Sequence, residues 1–397
     1  MRTPRSAGPW APLAGVRVLE LASLLSGPLL TRKLGHLGAE VVKVEAPSGD
    51  SVRTFPPHED GHSLIYEAAN RGKKSVVLDL RAEGDRDTFL ELASVADAIV
   101  ESYRPGALAK LGINWATLRE QRPDLVICSL TGFGQDGPLA QLPAHGMNIE
   151  SLAGCAAVTK VDGQHVFASD YAWALELGAL HGALATSTAV LHAKATGQGA
   201  WLDVSCWDAG VEAQRWVLYP MLAGHDPNGL AGKHGPGHSI YEASDGGLVA
   251  LLLLEQKFWA IFCTNVGRED LIGSFRADDF YEGTDSPEGE RLRKELASIV
   301  ASAPASEWLA RFAAWGVTGC HILTPADVVA HPHLAARQLV GTSAETGLPW
   351  IAEPVRNMDD EVRLGFDGPG APRLGADTDD VLERWLGGGR PETRWSR

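Results

Sequence analysis

Strand-like and helix-like segments alternate along residues 1–200, and this predicts an α/β protein with a large, doubly wound parallel sheet. Three observations carry that expectation. Short apolar or β-branched runs recur with turn signals between them. The first two, joined by one short helix, make a βαβ unit. At 397 residues the chain exceeds what one core comfortably holds, so a second, smaller α/β domain is expected.

The elements follow in order. Residues 16–21 (Val-Arg-Val-Leu-Glu-Leu) read as the first strand, followed by a loop with Ser26-Gly27-Pro28. Residues 29–37 have helical spacing of apolar side chains and close on Gly38 as a C-terminal cap. Residues 40–45 form the second strand, stopped by Pro47. Further strands are expected at 75–80, 98–101 and 125–130, with a helix over 86–95. Residues 172–195, rich in Ala and Leu, read as a long buried helix ending before Gly197-Gln198-Gly199. The stretch 222–240 is dense in Gly, His, Asn and Pro and reads as a mobile or ligand-covering loop. A strand near 248–254 and helices near 256–265, 288–301 and 305–314 suggest the smaller domain. The expected organisation is a large Rossmann-like domain over 1–200, a linker with a glycine-rich loop over 201–240, a small α/β domain over 241–325, and a segment over 326–397 that returns to the large domain.

Composition narrows the function classes. Hydrophobic residues at 45% and charged residues at 21% describe a soluble globular protein. The apolar run 248–254 is far too short to span a bilayer, so no membrane role is expected. The basic start Met1-Arg2-Thr3-Pro4-Arg5 has no apolar stretch behind it and does not read as a secretory signal. Five cysteines without a CxxC pair predict free thiols, no structural zinc and a cytoplasmic location. A net charge of −15 argues against nucleic acid, and an anionic ligand then needs a local basic cluster.

The most informative stretch begins at the turn Thr131-Gly132-Phe133-Gly134-Gln135-Asp136-Gly137-Pro138, with His145 and Asp170 beyond it. An imidazole and a carboxylate near small-residue segments are material for acid–base or nucleophilic chemistry. Asp170 precedes the long helix, where it reads equally well as an N-cap. His145 alone reads as a solvated loop histidine, and Glu255 as a carboxylate favoured by a helix start. Arg71, Lys73, Lys74 and Arg104, with Arg53, are the candidate basic patch, against the plainer reading of a solvated face.

Laid along the chain, these pieces resemble the class III CoA-transferase family (CaiB/BaiF type), which includes the α-methylacyl-CoA racemases. The resemblance rests on Pro12-Leu13-Ala14-Gly15-Val16-Arg17-Val18-Leu19-Glu20, on Gly35-His36-Leu37-Gly38-Ala39-Glu40-Val41-Val42-Lys43-Val44-Glu45, on Asn70-Arg71-Gly72-Lys73-Lys74-Ser75, and on Tyr103-Arg104-Pro105-Gly106 with Leu111-Gly112. It continues in Leu323-Thr324-Pro325 and His331-Pro332-His333-Leu334-Ala335-Ala336-Arg337. It implies an acyl-CoA substrate and an interlocked homodimer. CoA enters only as part of the substrate, and no metal or redox cofactor is needed.

The resemblance also implies site roles. Asp170 falls at the catalytic carboxylate, and the N–H donors of the helix after it would hold a developing oxyanion. His145 falls where the racemase branch has a catalytic histidine, and Glu255 where that branch has its carboxylate partner. Arg53, Arg71, Lys73, Lys74 and Arg104 would grip the CoA phosphates. Gly235 and Gly237, in His234-Gly235-Pro236-Gly237-His238, would cover the thioester or serve as an interdomain turn.

Three functions remain in play. The leading expectation is a racemase or epimerase of a 2-methylacyl-CoA-like substrate, with Asp170 and His145 on opposite faces of the α-carbon and an enolate between them. The alternative is acyl-CoA:carboxylate CoA-transfer, with Asp170 as nucleophile and a carboxylic acid as acceptor. Gly146 and Ile149 stand where the racemase pattern has Asp and an aromatic residue, and they favour this alternative. The third is a non-catalytic acyl-CoA binder.

Overall fold

The computed structural model describes residues 10–169, 171–225, 234–275, 286–359, 363–364 and 368–387. The chain divides into two compact units, one comprising Met1–Gln214 and Ala335–Arg397, the other Arg215–Leu334.

The first unit opens with β1 (Arg17–Leu21), α1 (Ser26–His36) and β2 (Glu40–Glu45). A short ribbon, β3 (His58–Glu59) and β4 (His62–Ser63), leads to α2 (Leu64–Asn70) and β5 (Lys74–Val77). Then come α3 (Glu83–Val95), β6 (Ala98–Glu101), α4 (Trp115–Gln121), β7 (Val126–Thr131) and α5 (Gly146–Ala153). A hairpin of β8 (Val158–Val161) and β9 (Gln164–Phe167) precedes the long α6 (Trp173–Thr196), β10 (Trp201–Ser205) and α7 (Cys206–Ala213).

Six strands form one parallel sheet in the order β10-β7-β6-β1-β2-β5. Strands buried on both faces read as continuous apolar runs, which is why they are visible in the sequence. Neighbouring residues of a strand serve opposite cores. Leu19, Val42 and Ile99 pack with Phe89, Leu92 and Trp115 on one face. Val18, Val41 and Val100 pack with Leu30, Leu34 and Ala179 on the other. Helix α6 has the length and apolar composition to cross a membrane, but it packs on α1, α7 and β7.

The expected linker from residue 201 begins instead with regular structure. Strand β10 pairs with β7 and extends the sheet, and α7 follows it. Trp201 and Asp203 alternate with Leu202 and Val204 there, so the half-exposed strand lacks the apolar run of its neighbours.

The second unit contains α8 (Arg215–Leu222), β11 (His238–Glu242), β12 (Leu248–Leu252) and α9 (Gln256–Asn265). It continues with α10 (Pro287–Val300), α11 (Ala305–Trp315), β13 (Gly319–His321) and α12 (Pro325–Ala330). The sheet β11-β12-β13 is antiparallel. Its core is aromatic: Phe262 and Trp308 lie 6.3 Å apart, Trp308 and Phe312 5.6 Å apart. Trp259 belongs to this core, and its indole N–H donates to Leu271 O at 2.9 Å.

After α13 (Pro332–Ala336), the hairpin β14 (Val340–Thr342) and β15 (Pro349–Ile351) and helix α14 (Thr378–Leu386) belong to the first unit. Val381 and Trp385 of α14 complete the core beside α3. Asp377 N–H donates to Ser75 O at 3.1 Å, and Ser75 N–H donates to Asp377 Oδ2 at 2.9 Å. The tail therefore covers the edge strand β5, which would otherwise present unpaired backbone groups.

Buried charges cross-link the sheet. Glu20 in β1 is fully buried and meets Lys43 Nζ of β2 at 2.7 Å and Lys73 Nζ at 2.8 Å. Burial alone would raise the Glu20 carboxyl, but the two ammonium groups outweigh it and hold it at about 2, below its ordinary 4.5. The pair's contribution to stability is thus complete above pH 4.5 and is lost as pH falls toward 2. Glu20→Gln is expected to cost about 3–5 kcal/mol at neutral pH, because two buried ammonium groups lose their carboxylate. Urea unfolding across pH should show the gap from wild type closing below pH 4.5, and a gap independent of pH would refute this account.

Candidate functional site

Strand β1 has β2 on one side and β6 on the other, so the loops after β1 and β6 diverge at the carboxyl end of the sheet. A crevice opens between such loops, and ligands of parallel α/β sheets bind there. Here it is a cleft of about 530 Å³. Its walls come from the β1 loop (Ser23, Leu24, Leu25), the β6 loop (Ser102, Tyr103, Arg104), the turn after β7, the loop into α5, and Leu175 of α6.

The β1 loop is held under local strain. Leu24 takes a left-handed φ of 64°, unusual for a branched side chain. Its N–H donates to Asp50 Oδ1 at 3.2 Å, while Lys43 Nζ binds Asp50 Oδ2 at 2.9 Å and Ala22 O at 2.7 Å. The buried charges of the sheet therefore set the shape of this wall.

The turn after β7 is fastened equally firmly. Gly134 N–H donates to Thr131 Oγ1 at 2.9 Å, Gln135 N–H to Asp203 Oδ2 at 3.0 Å, and Trp207 N–H to Gly132 O at 3.0 Å. Gly132 is required by close approach, since a Cβ there would stand 2.3 Å from Ala144 Cβ.

His145 lines the cleft as the N-cap residue of α5. Its backbone N–H donates to Asn148 Oδ1, and Asn148 Nδ2 donates to Pro143 O at 3.1 Å. Asp170 lies outside the described residues. Helix α6 has Ala172 as its N-cap, and its Ala174 N–H donates to the buried carboxylate of Glu150. That donor, expected to serve a thioester oxyanion, is thus taken by a protein carboxylate.

Four cations of the expected basic patch have partners within the chain. Lys73 is buried, and its Nζ also donates to Pro28 O at 2.8 Å and Asn70 Oδ1 at 2.9 Å. Arg71 is buried, pairs with Glu67 at 3.1 Å and donates to Gly368 O. Arg53 chelates Glu45 at 2.9 and 2.6 Å and donates to Pro372 O at 3.0 Å. Lys74 meets Asp380 at 2.7 Å. All four meet carboxylates of the same chain, and Arg53, Arg71 and Lys74 also fasten the C-terminal segment. Arg104 differs: it is exposed, lines the cleft, and makes no ion pair among the described residues.

Glu255 and the glycine loop belong to the second unit. Glu255 is the N-cap residue of α9, and its carboxylate lies 2.7 Å from Lys257 Nζ. Gly235 O accepts the His238 N–H at 2.9 Å, and Gly237 O accepts the Leu253 N–H at 2.8 Å. The described part of the loop is thus bonded to the start of β11 and to the residue after β12. Residues 226–233 of the expected loop lie outside the described residues.

One titratable group was not singled out from the sequence. Glu101 ends β6, is buried, and accepts the Tyr103 N–H at 2.7 Å. Burial pushes its carboxyl up to about 7. With Arg104, Gln135 and Trp201 it lines a smaller cleft of about 120 Å³. Its only sequence signal is a charge at the carboxyl end of a parallel strand.

The model of CoA-transferase family III matches residues 13–378. The chain belongs to CoA-transferase family III. An acetyl-CoA:oxalate CoA-transferase of Acetobacter aceti is 31% identical over 375 residues, covering 93% of this chain and 94% of that protein. A succinate–glutarate CoA-transferase of Agrobacterium fabrum is 31% identical over 396 residues, covering 94% and 95%. The crystal structure of Rv3272 from Mycobacterium tuberculosis gives a TM-score of 0.82 at 28% identity, over 94% of this chain and 99% of that one.

These family III relatives carry transferase names, whereas the sequence reading placed a racemase first. A Cβ on Gly146 would stand 2.6 Å from Ala172 Cβ and 3.0 Å from Leu175 Cδ1. The aspartate of the racemase pattern therefore has no room in the present packing. Gly146→Asp is expected to destabilise the protein by about 1–3 kcal/mol through overpacking. Thermal denaturation measures this, and an unchanged Tm would contradict the packing argument.

Proposed function

We propose that this protein is an acyl-CoA:carboxylate CoA-transferase with Asp170 as its nucleophile. The observation that carries the reading is the match to CoA-transferase family III over residues 13–378, supported by relatives named as transferases. The Asp170 carboxylate attacks the thioester carbonyl, forming an acyl–aspartyl anhydride and expelling the CoA thiolate. The thiolate then attacks the aspartyl carbonyl, releasing the first acid and leaving an aspartyl-CoA thioester. The acceptor carboxylate displaces CoA to form a second anhydride. The thiolate finally takes the new acyl group and restores Asp170. Ala172, two residues on, packs on Gly146 in the cleft wall. Arg104 would meet a CoA phosphate, as the exposed cation of the cleft.

His145 in the cleft keeps racemisation as a second reading. In that case Asp170 and His145 exchange the α-proton across an enolate.

The working enzyme would be an interlocked cytoplasmic homodimer. Leu180, Leu184 and Leu191 of α6 are 53%, 62% and 70% exposed in the single chain, an apolar stripe that a partner would cover. Every residue of the β8–β9 hairpin is exposed too, and a lone two-stranded hairpin is marginal in water. Light scattering is expected to give twice the chain mass, and Leu184→Glu to lower it toward one chain. A stable wild-type monomer would rule out the dimer.

The chemistry is read by incubating the enzyme with a chiral 2-methylacyl-CoA in D2O, with and without a free carboxylic acid. Transfer predicts acid-dependent CoA exchange, hydroxylamine trapping at Asp170, and loss of both in Asp170→Asn. His145→Ala is expected to retain exchange. Deuterium at the α-carbon without acid-dependent exchange would establish racemisation instead.

A further inference from the structure

We propose that the acyl group this enzyme transfers is apolar, an aliphatic or aromatic monocarboxylic acyl chain rather than a dicarboxylic one; this rests on the transferase reading and deepens it. The wall of the 530 Å³ cleft is mainly Leu24, Leu25, Phe133, Leu142, Ile149 and Leu175. The polar groups between them are hydroxyls and backbone. Among the described residues that line the cleft, only Arg104 and His145 can carry positive charge.

A dicarboxylic acyl group brings a second carboxylate into the cleft. A carboxylate leaving water needs a paired cation or several donors, or its desolvation goes uncompensated. Four buried or half-buried cations of the first unit are already bound: Lys43 and Lys73 hold Glu20, Arg53 holds Glu45, and Arg71 holds Glu67. Arg104 is exposed and shared with the smaller cleft, where the buried carboxyl of Glu101 stands. A methyl or phenyl terminus needs no such partner and removes apolar wall from water.

Butyryl-CoA and succinyl-CoA test this directly, because they differ in essence by a terminal methyl against a carboxylate. Titration calorimetry with Asp170→Asn, which stops turnover, compares CoA, butyryl-, hexanoyl- and succinyl-CoA. Burial of methylenes at about 0.8 kcal/mol each corresponds to nearly fourfold tighter binding per methylene. Hexanoyl-CoA should therefore bind roughly tenfold or more tighter than butyryl-CoA, and succinyl-CoA no tighter than CoA itself. Leu142→Arg, at a half-exposed wall position, should narrow the gap between butyryl- and succinyl-CoA. Succinyl-CoA binding as tightly as butyryl-CoA, or affinities indifferent to chain length, would overturn the proposal. Transfer by wild-type enzyme from the same donors is measured separately. Absence of transfer from every donor sinks the transferase reading whatever the binding order, and transfer with a reversed order sinks only the acyl-group assignment.

Discussion

The ion cluster around Glu20 is the constraint on which the rest of the first unit depends. One buried carboxylate in β1 takes ammonium groups from Lys43 and Lys73, at 2.7 and 2.8 Å, and the hydroxyl of Thr31. Lys43 passes the restraint to Asp50 and to Ala22 O, and Lys73 passes it to Pro28 O at the start of α1. Apolar packing alone would leave the exit of β1 free to shift. Directional bonds between buried charges do not, because any slip leaves a charge unpaired in a low-dielectric interior. The outcome is visible at Leu24, which keeps a left-handed backbone at the cleft wall with its N–H on Asp50. The conflict within the cluster shows on Lys73, which burial and the neighbouring Lys43 pull down to about 8 against the attraction of Glu20.

The same economy of charge decides which cations remain for a ligand. The run Asn70-Arg71-Gly72-Lys73-Lys74 looks like a phosphate grip when only neighbours in sequence are seen. One carboxylate partner, Glu67, stands four residues before Arg71, but Glu20, Glu40 and Asp380 are scattered across the chain. Once they converge, the run becomes a fastening between the sheet and the tail. Arg104 escapes because it follows β6 into a loop at the open end of the sheet.

What was legible in the sequence follows from the same physics. Residues 40–45, 98–101 and 256–265 were readable to their boundaries, because two-sided burial or helical spacing writes itself as an apolar pattern. Short amphipathic pieces were not: α2, α5 and β10 owe their stability to tertiary neighbours rather than to local pattern. For the site, the turn after β7 and His145 were found from residue types and order, and both line the cleft. The apolar wall and Glu101 were invisible. Which leucines face a cavity, and which carboxyl is desolvated, depends on the sheet order and not on spacing along the chain.

That arrangement bears on the chemistry through carboxylates more than through His145 itself. A two-base racemase needs an imidazole whose tautomer is held, usually by a carboxylate bonded to the far nitrogen. Two positions near His145 along the chain do not supply that carboxylate. Gly146 has no space for a side chain, with Ala172 and Leu175 pressed against it. Glu150, one turn further along α5, is buried and accepts Ala174 N–H at the start of α6. Moving it to His145 would leave that N–H of α6 without its acceptor. The proposed transfer through anhydride and thioester intermediates has no such requirement, since no proton crosses a carbon centre. A site whose nearby carboxylate is used for architecture, and whose walls are apolar, is better suited to excluding water from an anhydride than to relaying protons.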